Sequence, residues 1–342
     1  MVRIAINGFG RTGRAAFRAA LTRHDQEVEI VAINTSGSME ASGWAHLLKY
    51  DSVYGRFSKE VGVVPPKRAA EIGRIKVGEK EYPILAEKDP AKIPWNTYSP
   101  DVVLEITSFF RDKESATKHL KSGAGKVIIA APPKGKEVPI YIMGVNSDSY
   151  KGEDLVSNAS CTTNCAAPIV KLMQDYFEID EAAMTTIHAY TSDQELVDGS
   201  HKDLRRARAA AINIVPTSTG AAESIIAVFP KLEGRFSGAA IRVPVACGSF
   251  SDFTFRLKTK TTIDRLNRLF EDAANGAMKG ILEVSYEPLV SSDIIGNSAS
   301  SIVDSALTEV VREDLVKIGA WYDNEWAYSC RLIEMAILMS QK

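Results

Sequence analysis

The chain has 342 residues with 41 basic and 43 acidic side chains, a formal net charge of −2, and 45% hydrophobic composition. That balance argues against a general nucleic-acid binder or a basic membrane-surface protein. Four cysteines exclude a disulfide scaffold, and no apolar run reaches the ~18 residues of a membrane span. At ~150 residues per domain the length predicts two domains. The opening residues MVRIAINGFGRTG pass straight into a strand pattern with no basic-then-apolar leader, which predicts a cytoplasmic protein.

In chain order, residues 2–6 read as a strand and 11–21 as a helix with Phe17, Ala20 and Leu21 on one face. Further apolar runs cover 28–33, 102–106, 127–131 and 140–145. Continuous rather than alternating hydrophobicity marks strands buried on both sides of a parallel sheet. Strand–helix repetition of this kind predicts a doubly wound α/β domain. Beyond residue 155 the texture changes. Residues 239–257 alternate, with Ile241, Val243, Val245 and then Phe253, Phe255, Leu257 on one face, which predicts a half-solvated antiparallel sheet. Residues 262–274 and 333–339 read as helices, and the domain boundary falls near 150–160.

Gly8-Phe9-Gly10-Arg11-Thr12-Gly13 stands between the first strand and the first helix. In such a turn Gly8 permits the bend, Gly10 admits a pyrophosphate to the backbone, and Gly13 lets helix and strand pack closely. The amides at the helix start then hold the anion, so a dinucleotide site is expected here. The second strand ends in Asn34-Thr35-Ser36-Gly37, without the acidic residue that repels a 2′-phosphate. Hydroxyls there suit NADP, whereas Asn34 and the backbone alone would suffice for NAD.

Residues 157–165, SNASCTTNC, lead directly into an apolar helical stretch at 166–173. A cysteine at a helix start meets the positive end of the dipole, which lowers a thiol's pKa and favours the thiolate. Cys161 is therefore the candidate nucleophile and Cys165 a packing residue, with neither a CxxC redox pair nor a zinc pattern present, so no metal is expected. Of the five histidines, His188 in an apolar run is the best partner for Cys161.

Together INGFGRTGR, SNASCTTNC, HAYTSDQ, HKDLRRARAAAINIVPTSTGAA, AIRVP and WYDNEWAYS resemble the phosphorylating glyceraldehyde-3-phosphate dehydrogenase family, in order and nearly end to end. The resemblance implies a Rossmann-type nucleotide-binding domain (1–160 and 321–342, the last helix returning to it) and an α+β catalytic domain (161–320) with a largely antiparallel sheet. It implies a homotetramer and a small-molecule substrate oxidised to an acyl phosphate, with NAD or NADP and inorganic phosphate as co-substrates. By motif, Cys161 is the nucleophile and His188 its base. Thr191, Asp193 and Arg242 match the pocket for the substrate's phosphate. Ser160, Thr162, Thr219 and Gly220, with Arg206 nearby, match the site of the attacking phosphate. Asn324 matches the residue that fixes the nicotinamide carboxamide, and Thr107 lies close to the nicotinamide side.

Departures from the family pattern point in one direction. Thr35 replaces an aspartate, Gly199-Ser200 stands where NAD-type members have Leu-Pro, and Lys88 falls where photosynthetic members place an arginine. All three favour NADP acceptance. Ser108 stands where glycine is usual, and residues 245–249, VACGS, replace a proline-containing stretch. Two other readings stand beside this one: an erythrose-4-phosphate dehydrogenase, and a non-catalytic nucleotide- or RNA-binding relative.

Overall fold

Ile4, Ala5, Ile6, Ala32, Ile33, Val102, Val103, Leu104, Val127 and Ile128 are wholly buried. They form the middle of an eight-stranded sheet in the computed structural model, which describes residues 1–342. The strand order is 155–157, 126–129, 102–105, 2–7, 28–34, 80–85, 71–77 and 61–64. The first six run parallel, so both faces of these strands are covered and neither face needs polar residues. The last two strands join antiparallel as an edge extension that the apolar runs do not predict. Their alternation, as in Glu71–Val77, belongs to a sheet with one face wetter than the other.

The helix Arg11–Arg23 follows the first strand. Phe17 is wholly buried on it, edge-on to Phe9 at 5.7 Å and to Tyr82 at 4.9 Å. Strand Val2–Asn7 lies between Val28–Asn34 and Val102–Glu105, so the chain winds away from it in both directions. The crevice beyond the carboxyl ends of such central strands is where doubly wound sheets bind ligands. Asn7, Asn34 and Glu105 are the residues that end these strands.

The second sheet has seven strands, ordered 215–217, 236–243, 179–189, 249–257, 315–322, 301–311 and 282–285. It is largely antiparallel, as expected, with two parallel pairs: Ile179–Ala189 with Phe236–Val243, and Leu282–Ser285 with Ser301–Val311. Phe253, Phe255 and Leu257 do share the buried face of Ser249–Leu257, but Ile241 and Val243 are half-buried and Val245 lies in the following loop. Helix Ile263–Asn275 begins one residue inside the predicted span because the Thr262 side chain caps it, accepting from Arg265 N at 3.3 Å.

Two expectations are corrected. Residues 140–145 form no strand: Ile140 makes a single bridge to Ser157, and the chain then turns where Ile142 N donates to Asn146 Oδ1 at 2.7 Å. The last helix runs Trp326–Ser340, and residues 321–322 instead end the strand Leu315–Tyr322.

The chain divides into two units, one of Met1–Tyr141, Ser149–Ala159 and Ser329–Lys342, the other of Ile142–Asp148 and Ser160–Tyr328. The first carries the eight-stranded sheet and the second the seven-stranded one. No helix is long and apolar enough to cross a membrane.

Candidate active site

Helix Cys161–Phe177 begins at the cysteine itself, with Ser160 as its cap accepting from Thr163 N at 3.2 Å. Small residues at 157–160 allow the tight entry, in which Ala159 takes a left-handed φ of 51°. Cys161 is partly exposed, whereas Cys165, one turn on, is wholly buried beside Ser301. Burial pushes the Cys165 thiol up to about 12, which makes it inert at neutral pH.

His188, near the end of Ile179–Ala189, places Nε2 3.5 Å from Cys161 Sγ. Its Nδ1 is 2.7 Å from the Ala189 carbonyl, which can only accept. With the Nδ1 proton given to that carbonyl, the Nε2 lone pair faces the thiol, and Arg242 Nη1 lies 3.0 Å from the same Nδ1. Arg242, directly across the parallel register from His188, donates to the same carbonyl at 3.0 Å and to Thr191 Oγ1 at 3.0 Å. Burial first, and the Arg242 charge second, push His188 down to about 3, so the imidazole is a neutral base.

The thiol departs from the simple dipole expectation. Burial pushes Cys161 up, opposed by the Arg242 charge and by hydrogen bonds from Thr162. Thiolate formation at this site therefore depends on handing the proton to His188 while Arg242 and Thr162 stabilise the sulfur.

Thr191, Asp193, Arg206 and Arg242 are brought together. Asp193 accepts from the Thr191 hydroxyl and from Arg206 Nη1 at 2.5 Å. Against the burial that would raise it, Thr191 and the two arginines hold the Asp193 carboxyl below its usual range. Arg206 also donates to Thr217 Oγ1 at 2.9 Å and to the Ser218 carbonyl at 3.2 Å. It thus joins Asp193 to the segment that leads into Thr219 and Gly220, rather than lying only near the latter. Gly220 caps the helix Ala221–Val228, and Thr219 Oγ1 accepts from Ala221 N at 3.2 Å. These residues supply hydroxyls, backbone amides and guanidinium groups, the donor set an anionic phosphate requires.

Thr162 departs from expectation. Its hydroxyl is buried against Tyr322 Oη at 2.9 Å rather than facing an open anion site, and Tyr322 in turn bonds Thr186 Oγ1 at 2.7 Å. Burial pushes the Tyr322 phenol far above its ordinary value, so it acts as a neutral bridge. Tyr322 was not singled out from the sequence, although it lies two residues before Asn324 in WYDNEW.

In the first unit the glycine turn is built as its spacing suggests. A Cβ at Gly13 would fall 2.0 Å from the Gly8 carbonyl, and one at Gly8 would fall 3.0 Å from Thr107 N at a φ of +103°. Nothing lies within 4 Å of the corresponding position at Gly10. No side chain caps helix Arg11–Arg23 and no acid occupies its first turn. An open, uncapped helix start accepts a pyrophosphate, so these residues fit a dinucleotide. The Phe9 side chain is core, 6.2 Å from Trp44, and the Arg11 side chain pairs with Asp51 at 3.2 Å, so both side chains support the turn. Thr12 follows on the first turn, its carbonyl accepting from Ser329 Oγ at 3.3 Å.

Asn34 clasps the loop carrying Lys88: its Nδ2 donates to the Glu87 carbonyl at 2.8 Å and its Oδ1 accepts from Glu87 N at 3.0 Å. Thr35 is buried and its hydroxyl donates to the Leu85 carbonyl at 2.9 Å. The expected donor to a 2′-phosphate is therefore turned inward. Ser36 remains exposed, paired at 2.8 Å with Ser38, a hydroxyl the sequence reading passed over. Lys88 is exposed, as is Ser200 in the second unit.

Glu105 was also missed as a functional candidate. It is wholly buried, accepting from Asn7 Nδ2 at 2.5 Å, Thr107 N at 2.8 Å and His119 Nε2 at 2.9 Å. Trp95 Nε1 donates to His119 Nδ1 at 2.9 Å, which leaves the His119 proton on Nε2. Asn7 in turn accepts from Asn34 at 2.7 Å, so one buried carboxylate sets the ends of three strands. Beyond Thr107, Ser108 adopts a φ of 63°, which explains why glycine is usual there. Ser108→Gly is expected to raise stability by about 0.5–1 kcal/mol in chemical denaturation. A loss of stability would show that the serine side chain outweighs the strain.

A family model described as "Glyceraldehyde 3-phosphate dehydrogenase, NAD binding domain" matches residues 2–113, and one described as "Glyceraldehyde 3-phosphate dehydrogenase, C-terminal domain" matches 160–324. The chain is 46% identical to "Glyceraldehyde-3-phosphate dehydrogenase A, chloroplastic" of Chlamydomonas reinhardtii, over 100% of this chain and 89% of that relative. It is 48% identical to "Glyceraldehyde-3-phosphate dehydrogenase 1" of Streptomyces avermitilis, over 99% and 98%. It is 47% identical to "Glyceraldehyde-3-phosphate dehydrogenase GAPB, chloroplastic" of Arabidopsis thaliana, over 100% and 75%. With a cysteine–histidine pair in one unit, an open glycine turn in the other, and these matches across both, the chain belongs to the glyceraldehyde-3-phosphate dehydrogenase family and is an NAD(P)-dependent oxidoreductase.

Proposed function

We propose that the chain oxidises glyceraldehyde 3-phosphate reversibly to 1,3-bisphosphoglycerate. The observation that carries this reading is the contact of Cys161 Sγ with His188 Nε2 at 3.5 Å, beside Arg242. His188 takes the thiol proton, the sulfur adds to the aldehyde carbon, and His188 returns that proton to the carbonyl oxygen, which gives a thiohemiacetal and a neutral imidazole. His188 then removes the hydroxyl proton as the carbon gives up a hydride. A bound nicotinamide supplies the acceptor for that hydride. The resulting Cys161 thioester is attacked by an oxygen of inorganic phosphate, the carbon–sulfur bond breaks, and the acyl phosphate leaves. Thr191, Asp193 and Arg242 would hold the substrate's phosphate; Ser160, Thr219, Gly220 and Arg206 would receive the attacking one. Initial rates with and without phosphate test this. Turnover that needs no phosphate, or that prefers erythrose 4-phosphate, would favour the sugar-phosphate alternative.

NADP acceptance rests on an exposed Ser36–Ser38 pair, an exposed Lys88 and the absence of an acid at the strand end. The names of the chloroplastic relatives are in keeping with it. The expected ratio of kcat/KM for NAD over NADP is below about 100, roughly 2.7 kcal/mol. A larger preference for NAD would overturn the assignment.

The same reading includes a homotetramer. Leu196, Val197, Leu204, Ile212 and Ile214 are 71–80% exposed within one segment, apolar side chains suited to burial against another copy of the chain. Sedimentation at micromolar concentration is expected to give four chains, and a monomer would refute this.

A further inference from the structure

Three consecutive residues of the unusual stretch, Cys247, Gly248 and Ser249, hold two consecutive residues of WYDNEW. The Cys247 thiol donates to Asp323 Oδ1 at 3.2 Å. The same oxygen accepts from Glu325 N at 2.9 Å and Trp326 N at 2.8 Å, and Asp323 Oδ2 accepts from Gly296 N at 2.8 Å. Asn324 Oδ1 accepts from Gly248 N at 3.1 Å and from Ser249 Oγ at 2.9 Å. Two donors converging on one atom identify it as the carbonyl oxygen and turn Nδ2 to the opposite side of the amide.

The donors themselves are fixed. Gly248 has a φ of +90°, and a Cβ there would fall 2.1 Å from the Ser291 carbonyl, so no side chain can occupy the position. Ser249 is 1% exposed, and its Oγ accepts from Ala189 N at 3.2 Å while donating to Asn324. Ala189 is the residue whose carbonyl holds both His188 Nδ1 and Arg242. A single buried hydroxyl therefore stands between the peptide that orients the base and the amide of Asn324.

We propose that Ser249 is a positioning residue for the cofactor: it locks the Asn324 carboxamide in one orientation, and so determines how tightly the nicotinamide carboxamide is held. The inference rests on the reading of Asn324 given above. Without the hydroxyl, Asn324 keeps one donor instead of two and its amide can turn over, presenting Oδ1 where Nδ2 stood.

The test is a double-mutant cycle on the full-length enzyme with Ser249→Ala, Asn324→Ala and the pair. Ser249→Ala is expected to raise the KM for the nicotinamide cofactor about tenfold, equivalent to about 1.4 kcal/mol. The rate at which iodoacetamide alkylates Cys161 should stay within twofold of the parent, showing that the fold and the cysteine–histidine pair are intact. Asn324→Ala should raise the same KM at least as far, and adding Ser249→Ala to it should have little further effect. Ser249→Cys, which keeps a weak donor, should lie between parent and alanine variant and serves if the alanine variant does not fold. Fully additive effects, or an unchanged cofactor KM in both Ser249 variants, would overturn the positioning role while leaving Asn324 in place. An unchanged KM in Asn324→Ala would instead remove the reading of Asn324 and this inference with it.

Discussion

Cys161→Ser is expected to lower turnover by on the order of 10⁴-fold or more, with the melting temperature little changed. The hydroxyl that replaces the thiol has a much higher pKa, and a neutral His188 3.5 Å away cannot make it a comparable nucleophile. Mass spectrometry after brief iodoacetamide treatment at neutral pH should find the label on Cys161 of the parent and not on Cys165, which is buried and held near 12. Turnover close to that of the parent in Cys161→Ser would refute the nucleophile assignment.

His188→Asn should cost about 10²- to 10⁴-fold in kcat, the usual contribution of a positioned general base. It should also slow alkylation of Cys161, because the sulfur loses the acceptor for its proton. A second readout follows from burial. The unfolded chain protonates this histidine below its ordinary 6.5, whereas in the folded chain it stays neutral to about 3. Acidification between those values therefore favours unfolding, by about 1.4 kcal/mol per pH unit, and stability is regained as pH rises through 6.5. The asparagine variant lacks this penalty, so its stability should fall less steeply with acid. Equal acid slopes in the two proteins would show that His188 is not held neutral.

Much of this was legible in the residues because it depends on local chemistry. Gly8 and Gly13 sit where a Cβ would collide with backbone, and that constraint follows from the spacing of a strand–turn–helix. The parallel strands announced themselves by unbroken runs such as Val102–Glu105. Cys161 stands at a helix start because small polar residues precede an apolar helical stretch. What was hidden depends on where side chains point after folding. Thr35 looked like a phosphate ligand by type, but its hydroxyl finds the Leu85 carbonyl of the adjacent strand. Thr162 likewise turns to Tyr322, 160 residues away in sequence. Glu105 gave no signal, since an acid at a strand end is unremarkable until Asn7, Thr107 and His119 are seen to converge on it. Residues 140–145 carried a strand's composition, yet Asn146 captures the Ile142 amide and bends the chain.

The side-by-side register of His188 and Arg242 constrains how this protein can vary. Side chains alternate across a sheet, so slipping one strand by a single residue would carry the arginine to the opposite face. Insertions and deletions should therefore be rejected within Phe236–Val243 up to Arg242, where one residue gained or lost would move the guanidinium off the face it shares with His188. In a library of random indels, the surviving variants would map the pitch of the sheet.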